Sequence, residues 1–246
     1  MTDHRIQFSI ASAAAWAPGV ETQADWLAWA NGDLTISGDH DPQVKLMAPM
    51  LRRRAGFLGK MALEVAYQCL GKEVEVPTVF CSRHGEVTRS VDLLVDLAKA
   101  VPLSPTSFGL SVHNATAGLF SIARSDHTNS IALAAGQSSV EHAVIEACGL
   151  IADGEPRVLL VVYDCPLPGV YGAFQDCHEQ PFAWAWLMHA PTDDVLSLSW
   201  SSLVANDASN EERLSPGLEV WRFYLRKDSL LGRTCDGRQW HWSRNA

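Results

Sequence analysis

Apolar and polar positions along the chain follow two periods, and the switches between them mark out the elements. Residues 5–16 (RIQFSIASAAAW) read as a strand. From Phe57 to Leu70 the apolar positions are 57, 58, 61, 62, 65 and 66, a stripe at helical spacing that Gly71 closes. Thr78–Cys81 is a short apolar strand, and Ser90–Val101 repeats the helical spacing through Val91, Leu94, Val95 and Ala98 before Pro102. Ile131–Ala135 reads as a buried strand and Gly136 as a turn. Ser138 or Ser139 then caps a helix reaching about Ala152, with Glu141 in its first turn. Arg157–Tyr163 (RVLLVVY), Ala183–His189 and Val195–Trp200 follow as strands, the last two separated by the turn Pro191-Thr192-Asp193-Asp194.

Strands that alternate with helices and then succeed one another predict an α/β fold, a βαβαβαββ layered sheet with helices on both faces. A continuous apolar run such as RVLLVVY is what a strand buried on both sides requires. There is no repeat, low-complexity tract or linker, so residues 1–246 are expected to form a single domain. Within it, residues 18–50, rich in Trp, Gly, Pro and Asp, read as an irregular excursion and residues 203–216 as a polar loop. In the tail, 217–246, Val220–Arg226 suggests one more strand, and nothing in the pattern assigns Gly232–Ala246.

Composition narrows the partners. Hydrophobic residues make up 47% of the chain, enough for a sizeable core, whereas charged residues are only 19%, which implies an unusually large core or surface covered by another protein. A net charge of −9 argues against nucleic acid. The one basic cluster, Arg52-Arg53-Arg54, is either a solvated helix start or a docking point for an acidic carrier protein or partner. Six cysteines, at 69, 81, 148, 165, 177 and 235, form no C-x-x-C pair and sit mostly in apolar stretches. They read as buried thiols of a reducing cytoplasm, and neither a metal nor a cofactor is expected. Asp164-Cys165 and Cys177-His178 lack a third ligand pair at suitable spacing. Trp16, Trp26 and Trp29 read as core or interface aromatics. Ile6–Ala17 loosely resembles a signal-peptide core, but Gln7, two serines and Asp3 favour a first strand. No run approaches the ~20 apolar residues of a membrane-spanning helix.

The candidate chemistry lies in IALAAGQSSVEHAVIEA, residues 131–147, where a strand, a turn and a helix succeed one another. This arrangement resembles the nucleophile elbow of two groups: the ketosynthases of the thiolase superfamily, with a Cys at the turn, and the α/β-hydrolases, with G-x-S-x-G. Context favours the first. Ser138–Ala147, with its His142-Ala143 pair, resembles the ketosynthase helix after the nucleophile. His113-Asn114-Ala115-Thr116-Ala117-Gly118 resembles the family's Asn-Ala helix, and Gln137 follows Asn114 by 23 residues, about the family's separation between that Asn and its Cys. Pro49–Arg54, followed by Lys60-Met61-Ala62-Leu63, resembles the segment leading into the first family helix. Together these motifs cover about residues 45–200 in the family's order.

That register puts Gln137 at the nucleophile position, and a one-residue slip puts Gly136 there. Neither can attack a thioester, so no catalytic residue is assigned. The family also uses two histidines from the second half of its fold. The 109 residues after Gln137 are too few for a complete second half, and His178, His189 and His241 sit in no matching motif. Gln at this position is what chain-length factors of aromatic polyketide systems carry, and the ketosynthase-like N-terminal-domain proteins of aryl polyene synthesis resemble the chain more closely. The resemblance implies a thiolase-like half fold that pairs with a full-length β-ketoacyl synthase and meets the acyl carrier protein indirectly. It also implies a dimer strand at Ile131, Leu133 and Ala135, and an acyl-tunnel or interface segment at Ser107, Phe108, Leu110, Val112 and Asn114. The second reading is a serine hydrolase with Ser138 as nucleophile, Asp164, and His189 or His241, although Val140 stands where that motif wants a small residue. A third is a purely structural partner subunit.

Overall fold

The computed structural model describes residues 4–202 and 213–245. Eight strands form one continuous sheet: β1 (His4–Trp16), β2 (Thr78–Cys81), β3 (Ser130–Leu133), β4 (Val158–Asp164), β5 (Phe182–His189), β6 (Val195–Ser202), β7 (Leu230–Cys235) and β8 (Arg238–Asn245). Their order is β3-β2-β4-β5-β1-β6-β8-β7. β2 pairs in parallel with β3 and β4, and every other pairing is antiparallel. The helices are α1 (Gln23–Asn31), α2 (Pro49–Arg52), α3 (Phe57–Leu70), α4 (Val87–Ala98), α5 (Pro105–Gly109), α6 (Ala115–Arg124), α7 (Ser139–Ala152) and α8 (Pro216–Arg226).

Alternate residues of β2 and β4 explain the two-sided core. Val79, Leu160 and Val162 face one apolar cluster with α1, α7 and α8, while Phe80, Leu159, Val161 and Tyr163 face another with α3 and α6. The layered α/β fold with helices on both faces therefore stands. The first cluster is rich in tryptophan. Trp184, Trp186, Trp240 and Trp242 are fully buried, and Trp221 stacks on Trp184 at 5.7 Å. Gly217 lets α8 close on the sheet: a Cβ there would come 2.4 Å from the Phe182 ring, and the Gly217 carbonyl accepts from Trp184 Nε1 at 2.9 Å.

The sequence expectations need correction in several places. Residues 18–50 are not all irregular: α1 forms behind a capping box in which Thr22 and Asp25 satisfy each other's backbone N–H, and it buries Trp26 and Trp29. Val220–Arg226 is the body of a helix, because Pro216 starts it and Leu218, Val220, Trp221 and Phe223 lie on its buried side. Residues 203–212 of the expected polar loop lie outside the described residues, and Pro216 already belongs to α8. The unassigned end is the β7–β8 hairpin, so the succession is βαβαβαβββαββ, with one more consecutive strand and a final αββ beyond the anticipated order; the hairpin turn is made by Asp236 and Gly237 with φ of 51° and 71°. β3 is half-buried rather than buried, because it lies at the sheet edge and pairs only with β2. It ends at Leu133, so Ala135 is not part of it.

Candidate functional site

The elbow forms as the chain leaves β3. Gly136 takes φ 57°, a single 3-10 turn spans Gly136–Ser138, and α7 begins at Ser139. Ser139 Oγ accepts from the Ala135 N–H at 2.9 Å and donates to the Gly136 carbonyl at 2.8 Å, which fixes the turn. The Gln137 side chain is half-buried and donates to Asp176 at 3.0 Å.

The C-terminal hairpin closes over this helix start. Asp236, in the β7–β8 turn, accepts from both the backbone N–H of Ser138 (3.0 Å) and its hydroxyl (2.7 Å). A carboxylate thus sits where the free N–H groups and dipole of α7 favour negative charge. Arg233 on β7 donates to the Gln137 carbonyl at 3.0 Å and to Glu219 at 2.8 Å, and it pairs with the fully buried Glu141. Trp242 Nε1 also donates to Glu141, at 3.1 Å, and His142 packs edge-on against Trp240. Neither Asp236 nor Arg233 was singled out from the sequence. The Asp236-Gly237 pair, a strong hairpin signal, would have located them.

A second polar group lies beside Gln137, at the carboxyl ends of β2 and β4. Arg83 binds Asp176 at 2.6 Å and Cys177 Sγ at 3.1 Å, and lies 4.0 Å from Glu179. Asp176, Cys177 and Glu179 are close enough together to ligate a metal ion, but the Arg83 guanidinium already supplies their positive charge. Asp164, at the end of β4, accepts from Ser82 Oγ and Arg83 N–H, both at 2.9 Å. Burial pushes its carboxyl up from 3.8 to about 7, against the pull of those donors and the Arg83 charge.

The folded state therefore holds a proton on Asp164 that the unfolded chain has already lost above pH ~4. Its contribution favours folding at low pH and fades as pH rises from about 4 to about 7. Asp164→Asn keeps an oxygen to accept both hydrogen bonds and removes the titration. Moving a carboxyl from 3.8 to about 7 is worth about 4 kcal/mol. Melting temperatures at pH 5 and 8 should therefore diverge less for Asp164→Asn than for the parent. Equal pH dependence of the two proteins would show that Asp164 is ionised throughout.

The other expected site residues are dispersed. Arg52 donates to the Gln43 and Val44 carbonyls and so braces the loop before α2, whereas Arg53 and Arg54 are exposed beyond the end of that helix, not at a helix start. Ser107 and Phe108 lie on α5, and Val112 and Asn114 precede α6. Phe108, Val112 and Asn114 are exposed, whereas Leu110 packs against the α3–α6 cluster. Next to them α4 buries none of its residues, leaving Leu94 and Leu97 exposed.

The hydrolase arrangement is not assembled. Ser138 Oγ is committed to Asp236 and the Ala135 carbonyl, and His142 Nδ1 lies against the Ser138 carbonyl rather than its hydroxyl. Asp164 binds Ser82, His189 stands at the other end of β5 from Asp164's pairing partner, and His241 pairs with Ser199 in the sheet. Nor does any cysteine resemble an activated thiol. Burial pushes Cys69, Cys177 and Cys235 up to about 11 and Cys148 up to about 12, and raises Cys81 and Cys165 as well.

A mixed sheet of order β3-β2-β4-β5-β1 between helical layers, with an elbow at the end of β3, is the arrangement of thiolase-like ketosynthases. Residues 26–243 match the family model described as beta-ketoacyl synthase, N-terminal domain, and the chain belongs to that family. Among solved structures, one chain of a ketosynthase (ApeO) in complex with its chain length factor (ApeC) from Xenorhabdus doucetiae is 28% identical. The match covers 97% of this chain and 100% of that one, with a TM-score of 0.81. The ishigamide ketosynthase/chain length factor matches at 14% identity over 82% of this chain and 69% of that one, TM-score 0.61. A beta-ketoacyl synthase from Burkholderia phymatum STM815 matches at 12%, over 82% and 66%, TM-score 0.62. No curated protein matches the sequence significantly. Among the described residues no helix is long and apolar enough to cross a membrane.

Proposed function

We propose that the chain is a non-catalytic chain-length-factor subunit that pairs with a full-length β-ketoacyl synthase, in polyketide or fatty-acid-like synthesis of the aryl polyene kind, in the cytoplasm. The observation that carries this reading is the elbow. Its turn residue is Gly136, the next side chain is an amide, Gln137, and the helix start is occupied by Asp236 and Arg233 of the same chain. An acyl thioester finds no nucleophile there, and Asp236 already holds the Ser138 N–H. The full-length likeness to a chain from a ketosynthase–chain length factor complex supports the pairing. So do the unpaired outer edge of β3, at Ile131 and Leu133, and the uncovered apolar residues of α4 and α5. The acyl carrier protein is met through the partner.

Two experiments test this. Co-expression with a candidate ketosynthase should give a 1:1 heterodimer by native mass spectrometry, and the chain alone should self-associate. A monodisperse monomer indifferent to ketosynthases would end the pairing reading. Gln137→Cys should not be acylated by an acyl carrier protein or gain condensing activity, since Asp236 still fills the helix start. Acylation of that variant, read by intact-protein mass, would show that the site is merely missing its thiol.

A further inference from the structure

Away from the elbow, a cavity of about 510 Å³ opens between the first turns of α3 and α4 and the end of β4. Phe57, Leu58, Val87, Cys165, Pro166 and Pro181 give it a mainly apolar wall. Its size is that of a small-molecule site, roughly 300–1,000 Å³, and it lies beyond the carboxyl ends of the parallel strands β2 and β4, where α/β sheets receive ligands. Three charged residues from the first two turns of α4 also line it: Glu86, Arg89 and the exposed Asp92. Glu86, with its side chain only 12% exposed, stands 3.9 Å from Arg89 Nε, too far for a hydrogen bond. Among the described residues the Glu86 carboxylate accepts no hydrogen bond, and the only bond of the Arg89 guanidinium is a long one, 3.5 Å, to the Arg54 carbonyl.

The pair is held apart by its seat. The carboxylate rests over the first turn of α3, where Gly56 and Gly59 leave it room. A Cβ at Gly56 would come 3.4 Å from Glu86 Oε2, and one at Gly59 3.3 Å from Oε1. Two partly desolvated polar groups facing an apolar cavity, neither satisfied by the other, call for a third group between them. Between Glu86 and Arg89 a cation would satisfy the first but meet the second, and an anion would do the reverse, while the charge of the exposed Asp92 is screened by solvent. A neutral group that both accepts and donates satisfies both.

We propose that this cavity binds a small uncharged amphiphile, an aromatic or aliphatic body held by Phe57, Leu58, Val87 and Pro166 with a carboxamide or hydroxyl head between Glu86 and Arg89. The site is independent of whether the chain pairs with a ketosynthase. The competing reading is that Glu86 serves only the dipole of α3, in which case its loss changes stability and nothing binds.

The test uses three probes of one shape, 4-butylbenzamide, 4-butylbenzoate and 4-butylbenzylamine, titrated into the full chain, alone or paired, by saturation-transfer NMR. The amide should bind at least about tenfold tighter than either ion, and Glu86→Ala and Arg89→Ala should each weaken it about tenfold, the effect of one lost hydrogen bond to a charged group. Val87→Trp, at a half-exposed position, should abolish binding while thermal unfolding stays cooperative. Nuclear Overhauser contacts from the butyl group to the Phe57 ring supply a readout free of substitution. Equal binding of all three probes, binding that survives Val87→Trp, or no binding of the amide at millimolar concentration would each overturn the proposal.

Discussion

Arg233→Ala should be the most damaging single substitution in the C-terminal hairpin, lowering the melting temperature by about 6–20 °C. Arg233 is nearly buried and serves three partners at once: Glu141, Glu219 and the Gln137 carbonyl. Glu141 is fully buried, and without Arg233 its charge keeps only the Trp242 N–H, its second oxygen being unbonded already. Removing one partner of a buried ion pair costs about 3–5 kcal/mol, because the other is left uncompensated. That is a large part of the roughly 5–15 kcal/mol a domain has. Arg233→Lys should fall between, since an ammonium carries the charge but not the fork that reaches three acceptors. Arg233→Ala with Glu141→Leu should recover much of the loss, since no bare charge then remains. Thermal unfolding followed by circular dichroism decides it. A shift under about 2 °C for Arg233→Ala would mean that water reaches Glu141 and the hairpin is not a sealed plug.

How far the sequence revealed this arrangement depends on what each residue's partners are. Phe57–Leu70 and Thr78–Cys81 appear at the expected residues because their burial is set by local periodicity against a nearby sheet. The Gly136 turn was legible for the same reason: its left-handed backbone is a property of one residue. The closure of the elbow was not. Asp236 lies 98 residues from Ser138 and Arg233 lies 92 from Glu141, and no period in the chain records a contact at that distance. The tail also misled by composition. VWRFYLR is aromatic and β-branched enough to suggest a strand, but Pro216 at the first helical position and Gly217 against Phe182 place it as a helix. Ile131–Ala135 misled in the opposite sense. Its apolar run suits a strand covered on both sides, but among the described residues β3 is an edge strand that pairs only with β2.

Phe108→Asp should weaken pairing with the ketosynthase about 30- to 700-fold, the range of a strong interface anchor worth about 2–4 kcal/mol. Phe108 sits on α5 with 64% of its surface exposed, within five residues of Leu103 and Val112, which are exposed as well. Because most of its surface is exposed, Phe108→Ala should leave the stability of the chain within about 0.5 kcal/mol. Any change in pairing or product then reports on what Phe108 meets outside the chain. Leu110 cannot be used this way, since it packs against the α3–α6 cluster and its truncation would loosen the core. Two roles for the segment give different outcomes in a reconstituted pair. If Phe108 closes the end of an acyl tunnel, Phe108→Ala should shift the product distribution to longer chains while turnover persists. Gly109→Trp should shorten it, since one methylene in an apolar pocket is worth about 1–3 kcal/mol. If Phe108 only packs the interface, Phe108→Ala should lower all products together, in proportion to the lost heterodimer. Affinity from native mass spectrometry and product lengths from the same preparations separate the two. Undiminished pairing by Phe108→Asp would move the partner surface elsewhere on the molecule, to the β3 edge alone.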